Sequence, residues 1–384
     1  MKSSVSSICI LSDGYPSKGR PEFVFVKQLA EAFADKGIAV SVIASQSLTK
    51  CVVRRIPLLP RHQECVSLHG RRYHVYRPYS ITFGNGKHFL YRIVSRYNQN
   101  EIDSCLDSIR PDVVYGHFWA SAYRGYAYAR KSNIPLFVAT GESVIRFRKD
   151  NHDKQNFCDY VSGVVCVSSK NEIESITLGL TTDRKCMIAL NAIDMGLFRK
   201  LDKNNCRKQL GIPQEAFVVI YVGAFTERKG VIRVTKALSQ LGDKNIFSIF
   251  IGRGKLDPHC DNILFKGGAS HEMLPLYLNA SDIFVLPTRN EGCCNAIIEA
   301  LACGLPVVSS DLPFNHDLLD ESNSILIDPN NIDQIVCGIQ ALKDSREKRK
   351  KLADGALKSV RNLNIENRAE KILNFINVCI NERY

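Results

Sequence analysis

Short apolar runs of strand length alternate with amphipathic stretches along almost the whole chain. Val5–Leu11 is the first run and Ile38–Ala44 the second. Between them Phe23, Val26, Ala30 and Phe33 keep helical spacing, with Pro21 suited to the first turn and Gly37 to the end. Strand, helix and strand in that order predict a parallel pair with a right-handed crossover. An irregular segment rich in Arg and Pro is expected over 50–80, then a long helix over 87–109. Strands follow at 112–115, 135–139, 163–167 and 186–190. A second alternating series places strands at 217–222, 246–251, 263–265, 283–286 and 305–309, with a helix over 231–241. Over 366–384, Ala369, Ile372, Leu373, Ile376 and Ile380 form one stripe of a last helix. The reading is an α/β protein with two doubly wound, Rossmann-like domains, and 384 residues suit that number. The linker is expected over 191–200. No repeat of solenoid period interrupts the pattern.

Composition changes little in this picture. Hydrophobic residues are 45% and charged residues 23%, as in globular proteins, and no apolar run reaches the length of a membrane span. The first apolar run is too short and too uncharged for a secretory signal, so a cytoplasmic location is expected. The 14 cysteines show no Cys-x-x-Cys spacing, and they are expected to remain thiols. Charge is uneven: residues 1–190 carry 26 Lys and Arg against 16 Asp and Glu, a net +10, whereas 191–384 carry 25 against 23, a net +2. A basic first half points to an anionic partner. Much of it lies at Arg54, Arg55, Arg61, Arg71, Arg72 and Arg77, interleaved with Tyr73, Tyr76 and Tyr79. That segment reads either as loops and hairpin strands with a solvated face, or as a surface for an anionic membrane leaflet or a lipid-pyrophosphate acceptor.

Candidate chemistry concentrates in 277–311. There the strand Ile283–Leu286 stops at Pro287, and Asn295 is the expected N-cap of a helix over 296–303. Gly304 suits the left-handed position after that helix, and Pro306 blocks its continuation. Two acids, Glu291 on the loop and Glu299 in the helix, flank a helix N-terminus whose free amides suit an anionic or hydroxyl-rich ligand. The string Glu-Gly-x-x-Asn-Ala-x-x-Glu-Ala-x-Ala-Cys-Gly-x-Pro-Val-Val over 291–308 closely resembles the donor-site signature of the retaining, nucleotide-sugar-dependent glycosyltransferases of the family 4 type. This large family includes many capsule and exopolysaccharide enzymes.

The resemblance implies a GT-B fold, two Rossmann-like domains facing across a cleft. It implies a discontinuous acceptor-side domain, 1–190 plus 366–384, and a donor-binding domain at 191–365. It also implies sugar transfer from a nucleoside-diphosphate donor to a glycan or lipid-linked acceptor with retention of the anomeric centre. Arg228 and Lys229, in the loop Ala224–Gly230 between a strand end and a helix start, match the family's Arg/Lys-Gly element. Cations there would stabilise charge growing on the departing diphosphate. Glu291 would lie by the donor sugar and Glu299 on the ribose, with Gly292, Asn295 and Ala296 beside them. Gly223, Gly252, Gly254 and Gly268 are expected as turns letting backbone approach the nucleotide. Gly19 would approach the donor phosphate. His117, at a strand end, matches a family histidine that contacts donor sugar or acceptor. Thr140 and Gly141, followed by Glu142, stand where relatives have His-Gly, and Ala192 replaces the glycine of an Asn-Gly-x-Asp hinge whose Asn191 and Asp194 are kept.

No Asp-x-Asp pair occurs, and metal-dependent transferases of the other main fold use one to hold a divalent cation. No metal and no cofactor are therefore expected, only a nucleotide sugar as co-substrate. A peripheral position on the inner face of the plasma membrane fits the basic half, and no nucleic acid is expected. Two rival functions stay open: a nucleotide-sugar epimerase, and a non-catalytic sugar- or nucleic-acid-binding protein. An oxidoreductase is disfavoured because Ser12-Asp13-Gly14-Tyr15-Pro16 lacks Gly-x-Gly-x-x-Gly after the first strand.

Overall fold

The computed structural model describes residues 5–17, 23–82 and 90–383. The chain divides into two compact units: one up to Val167, with Asn171–Ala189 and the stretch from Ile365, the other Leu190–Asn364 with Ser168–Lys170.

The first unit runs β1 (Ser7–Ser12), α1 (Val24–Asp35), β2 (Ala39–Ala44), β3 (Gln46–Ser47), α2 (Leu48–Val53), β4 (His62–Val66), β5 (Arg72–Tyr76), β6 (Tyr79–Ser80) and α3 (Tyr91–Ile109). It continues through β7 (Val113–His117), α4 (Trp119–Lys131), β8 (Leu136–Thr140), α5 (His152–Tyr160), β9 (Gly163–Cys166), α6 (Ser169–Thr177) and β10 (Cys186–Ile188). Eight strands form one sheet in the order β10-β9-β8-β7-β1-β2-β5-β4. All its ladders are parallel except the antiparallel pair of β4 with β5. Its central strands are apolar on both faces because helices cover both, as parallel sheets require. One layer joins α1 to the sheet through Val26, Leu29, Ala30 and Phe33. The other packs Trp119, Tyr126 and Phe157 on the opposite face.

The segment over 50–80 is not irregular throughout. It contains α2 and the hairpin β4–β5 at the sheet edge. Nor is it one basic surface: Arg77 is buried and donates to the Pro60 carbonyl, and Tyr73 is in the core. Arg61 pairs with Glu101 and lies over the Tyr79 ring, and Arg72 pairs with Glu64. Pro21, and the start of the long helix expected from 87, lie outside the described residues. α1 starts at Val24, after Phe23 in a left-handed conformation.

The second unit runs α7 (Lys203–Leu210), β11 (Phe217–Val222), α8 (Val231–Leu241), β12 (Ile246–Ile251), β13 (Ile263–Gly267), α9 (Leu274–Ala280) and β14 (Ile283–Leu286). α10 (Asn295–Ala302), β15 (Val307–Ser310), β16 (Ser324–Ile327), α11 (Ile332–Asp344) and α12 (Arg346–Ser359) complete it. The last helix, α13 (Ile365–Arg383), belongs to the first unit, where Ala369, Ile372, Leu373, Ile376 and Ile380 join its core. Six parallel strands lie in the order β13-β12-β11-β14-β15-β16. The order reverses at β11, whose neighbours are β12 and β14. Loops leaving the C-terminal ends of two strands at such a reversal diverge to opposite sides and leave a crevice where ligands bind. Here those are the loops after Val222 and after Leu286.

Candidate active site

The loop after β11 ends at Gly230, whose φ of 81° starts α8 from a left-handed residue. A Cβ there would meet the Pro287 carbonyl oxygen at 2.5 Å, so glycine lets this loop lie directly on the end of β14. Arg233, one turn into α8, fastens the two loops. It is buried and donates to the carbonyls of Glu227 (2.9 Å) and Pro287 (2.7 Å).

This packing brings Arg228 and Lys229 onto Glu291. Arg228 Nη1 lies 2.6 Å and Lys229 Nζ 2.8 Å from the same carboxylate oxygen, Oε1. Thr288 Oγ1 donates to it as well, at 2.7 Å. Arg228 also donates to the Asn290 carbonyl, and the Arg289 amide donates back to the Arg228 carbonyl at 2.9 Å. Glu291 and Thr288 are buried and Lys229 nearly so, which shields that pair from water, whereas the Arg228 side chain stays 43% exposed. Burial by itself would lower the Lys229 pKa, but Cys294 and Glu291 beside it outweigh that and hold the ammonium above its ordinary value. Lys229 Nζ is 3.8 Å from Cys294 Sγ. Burial pushes the Cys294 thiol up, against the opposing pull of Lys229.

α10 starts one residue earlier than expected. Cys294, extended at φ −86° and ψ 103°, is the N-cap and provides no side-chain cap. Asn295 is therefore already helical and cannot cap. Its Oδ1 instead accepts from Asn191 Nδ2 at 2.8 Å, and the same amide reaches the Cys293 carbonyl at 3.3 Å. The amides of Asn295 and Ala296 have no helical acceptor, because they precede the first full turn. Gly292 is buried between them and Glu291. Further along the helix Glu299 faces His271, with Oε1 at 3.2 Å from Nε2. The hydrogen bond to Glu299 raises the His271 pKa against the opposing effect of burial. The imidazole edge rests on the Phe198 ring, 4.9 Å between centroids.

The glycines have a first duty to one another's loops. A Cβ on Gly252 would sit 1.9 Å from the Gly223 carbonyl oxygen, and one on Gly254 2.2 Å from the Phe225 carbonyl oxygen. Phe225 and Gly254 form a parallel bridge, and the Gly223 amide donates to the Ile251 carbonyl at 2.9 Å. Gly268 accommodates the Arg253 guanidinium, whose Nε would be 2.5 Å from an added Cβ.

In the first unit the named residues gather at the ends of β7 and β8, where His117 pairs with Ala139 in the register. His117 is buried, stacked on Phe25 at 4.6 Å. Its Nδ1 has no hydrogen-bond partner among the described residues. Burial, and then the nearby Arg368, lower its pKa to about 3, so the ring is neutral at physiological pH. Thr140 Oγ1 and the Gly141 amide donate to Glu142 Oε2 at 2.7 and 3.0 Å. Burial raises the Glu142 pKa, opposed by these bonds and one from the Trp119 amide at the start of α4. Glu142 thus closes a local network instead of standing free. Gly19 lies outside the described residues.

Sequence reasoning did not single out Thr288, His271 or Cys294. A threonine just after a strand-ending proline and a lone loop histidine carry no pattern that separates them from solvated residues.

The two parallel sheets define the class: an α/β protein of GT-B glycosyltransferase architecture. The structure resembles sucrose-phosphate synthase from Thermosynechococcus elongatus with a TM-score of 0.78 at 18% identity, over 98% of this chain and 100% of that one. It resembles HepE of Anabaena, solved in complex with UDP and glucose, with a TM-score of 0.72 at 17% identity, over 97% and 100%. Residues 202–359 match the sequence model of the glycosyl transferases group 1, and residues 23–195 that of glycosyltransferase family 4. The chain belongs to this glycosyltransferase family, and it is a transferase. Among curated relatives, the putative teichuronic acid biosynthesis glycosyltransferase TuaC of Bacillus subtilis is 29% identical over 163 residues. That match spans 41% of this chain and 41% of the relative's length. The UDP-Gal:alpha-D-GlcNAc-diphosphoundecaprenol alpha-1,3-galactosyltransferase of Escherichia coli is 24% identical over 71% of this chain and 76% of its own.

Proposed function

We propose that the protein is a retaining, hexosyltransferase-like enzyme that moves a sugar from a nucleoside-diphosphate donor to a glycan or lipid-pyrophosphate-linked acceptor in cell-surface polysaccharide synthesis, without a metal. The observation that carries this reading is the convergence of Arg228 and Lys229 on Glu291 at the sheet reversal. A donor diphosphate there would meet two cations and the open amides of α10. In the reaction the anomeric carbon–phosphate oxygen bond breaks as the acceptor oxygen bonds to the same face of that carbon. The departing phosphate takes the acceptor's proton and keeps the bond's electron pair. Its extra negative charge meets Arg228, Lys229 and the start of α10, which are in place before the charge develops. Glu291 orients both cations and presents a carboxylate by the donor sugar. Glu299, steadied by His271, is placed for ribose hydroxyls. No protein nucleophile is needed.

On the acceptor side stand the neutral His117, whose buried Nδ1 has no partner among the described residues, and Thr140, Gly141 and Glu142 at the end of the neighbouring strand. The lipid-linked acceptor in the name of the E. coli relative favours an acceptor carried on diphosphoundecaprenol. A cytoplasmic protein reaching it would dock on the anionic inner leaflet. Support comes from α2, where Val52 is 77% and Val53 81% exposed beside exposed Arg54 and Arg55. No helix among the described residues is long and apolar enough to cross a membrane.

The test is a thermal-stability screen against nucleotides and nucleotide sugars, then turnover of the stabilising donor with and without a lipid-pyrophosphate saccharide. A ligand at one hundred times its Kd should add about 2.7 kcal/mol. Acceptor-dependent transfer that survives chelator is the expected result. Isomerisation of donor without acceptor would replace this reading with the epimerase, and abolition by chelator with rescue by magnesium would overturn metal independence.

A further inference from the structure

A second basic concavity lies in the first unit, on the outer side of the helices that cover its sheet. It is a groove of about 820 Å³ between α3 and α4. Its origin is legible in α3. The C-terminal half of that helix buries Ile102 and Leu106, whereas its first two turns bury no residue, so they stand off from α4. Residues 92, 95, 96 and 99 share one helical face, as do 123, 127, 130 and 131. Arg92 and Arg96 therefore look across at Arg130 and Lys131 over a floor formed by Ala127.

The charges are unbalanced. Among the described residues no carboxylate pairs with any of these four cations; Arg130 has only the Tyr126 hydroxyl, at 3.5 Å. The acid on the groove wall, Asp153, already accepts from the Tyr123 hydroxyl. Asp103 on α3 also acts on Lys131 through its charge, but it accepts from Gln99, so four cations face two acids that are already hydrogen-bonded, and an anion would relieve the repulsion that remains. The remaining groups suit a hydroxyl-rich ligand: Ser95 and Asn100 supply polar atoms, and Tyr91, 67% exposed, supplies one aromatic face. A single exposed ring does not make the stacking platform that single-stranded nucleic acid uses. A flat leaflet cannot follow the groove to its floor.

We propose that this groove binds an acidic glycan, with carboxylate- or phosphate-bearing sugars held by Arg92, Arg96, Arg130 and Lys131 and a sugar face laid on Tyr91. The choice of a saccharide as carrier of the charge rests on the sugar chemistry of the family and on nothing at the donor site. An enzyme that keeps hold of an acidic chain raises its local concentration without a new contact at the reacting atoms.

The experiment measures binding of a fluorescent oligogalacturonate to the full chain, with the carboxyl-reduced oligosaccharide as the neutral control. Two variants are compared: Arg96→Ala with Arg130→Ala, and Ala127→Trp, which fills the floor and removes no charge. Binding of the acidic probe alone is expected, reduced about 10-fold or more in each variant, a loss of about 1.4 kcal/mol: from charge-assisted contacts in the arginine pair and from blocked access in Ala127→Trp. Thermal midpoint and the response to nucleotides should not change, so the donor-site reading is judged separately. Equal binding of the reduced oligosaccharide, or full binding by Ala127→Trp, would overturn the proposal. So would an oligothymidylate or phosphatidylglycerol vesicles whose binding fell in Ala127→Trp while the glycan's did not.

Discussion

At the scale of residues, Glu291 organises the site by accepting from Arg228, Lys229 and Thr288 on one oxygen. If the proposed reaction holds, removing either cation deletes a stabiliser of developing charge, and Arg228→Ala and Lys229→Ala should each lower turnover about 10²-fold or more with the fold intact. Near-normal turnover in both would return the loop to a solvated turn. His117 gives a prediction that needs no substrate. Its pKa is lowered from 6.5 to about 3, so between those values the folded chain binds fewer protons than the unfolded one. The stability it contributes is complete above its unfolded pKa and is lost as pH falls toward the folded one, by about 1.4 kcal/mol per pH unit at most. Melting midpoints from pH 7 to 5 should drop more steeply in the wild type than in His117→Gln. Parallel slopes would mean the ring is not sealed as the structure shows.

Among the elements, the strand-end loops of the second sheet hold the site by packing on one another. Gly252 has φ of 156°, and an added Cβ would lie 1.9 Å from the Gly223 carbonyl oxygen. Neither backbone can yield without breaking the bond from the Gly223 amide to the Ile251 carbonyl. Gly252→Ala should therefore destabilise the protein by about 2–4 kcal/mol, as overpacking and left-handed strain combine. Gly242→Ala, whose Cβ would meet nothing closer than 3.9 Å, is the control. It should cost only about 1 kcal/mol for its left-handed backbone. Denaturant unfolding of the pair checks this, and equal losses would refute the crowding argument.

For the whole molecule, the net +12 is concentrated in the first half of the chain, and most of the arginines over 54–72 are exposed. The proposed leaflet docking would be electrostatic, so it should weaken as salt shortens the Debye length from about 10 Å at 0.1 M to about 3 Å at 1 M. Neutralising Arg54, Arg55, Arg71 and Arg72 together should reduce sedimentation with anionic vesicles and leave nucleotide affinity unchanged. A wild-type protein that ignores such vesicles at low salt would end the membrane reading and leave the transferase reading standing.

Strand and helix alternation was legible because parallel strands covered on both faces read as unbroken apolar runs, as Phe217–Val222 and Ile283–Leu286 do. The candidate site around Glu291 and Glu299 was legible for another reason: loop, helix start and acids fall within one short stretch, so local spacing carries it. The stripe on α13 marked an amphipathic helix but could not name the face it packs on, because any apolar surface satisfies a stripe. Likewise Arg77 looked like its exposed neighbours until β5 carried it inward. Asn295 as a cap failed because the helix begins one residue earlier, at Asn295 itself, and its side chain is tied to Asn191, far away in sequence. His271 on Glu299 and the sealing of His117 by Phe25 are likewise contacts between elements, whereas Thr288 bonds Glu291 within one loop, three residues apart, without a periodic signal. Short-range pattern determined the elements and the loop that carries Glu291. Which polar side chains are paired, buried or left facing a ligand was decided by tertiary packing alone, because hydrogen-bond partners distant in sequence leave no periodic trace.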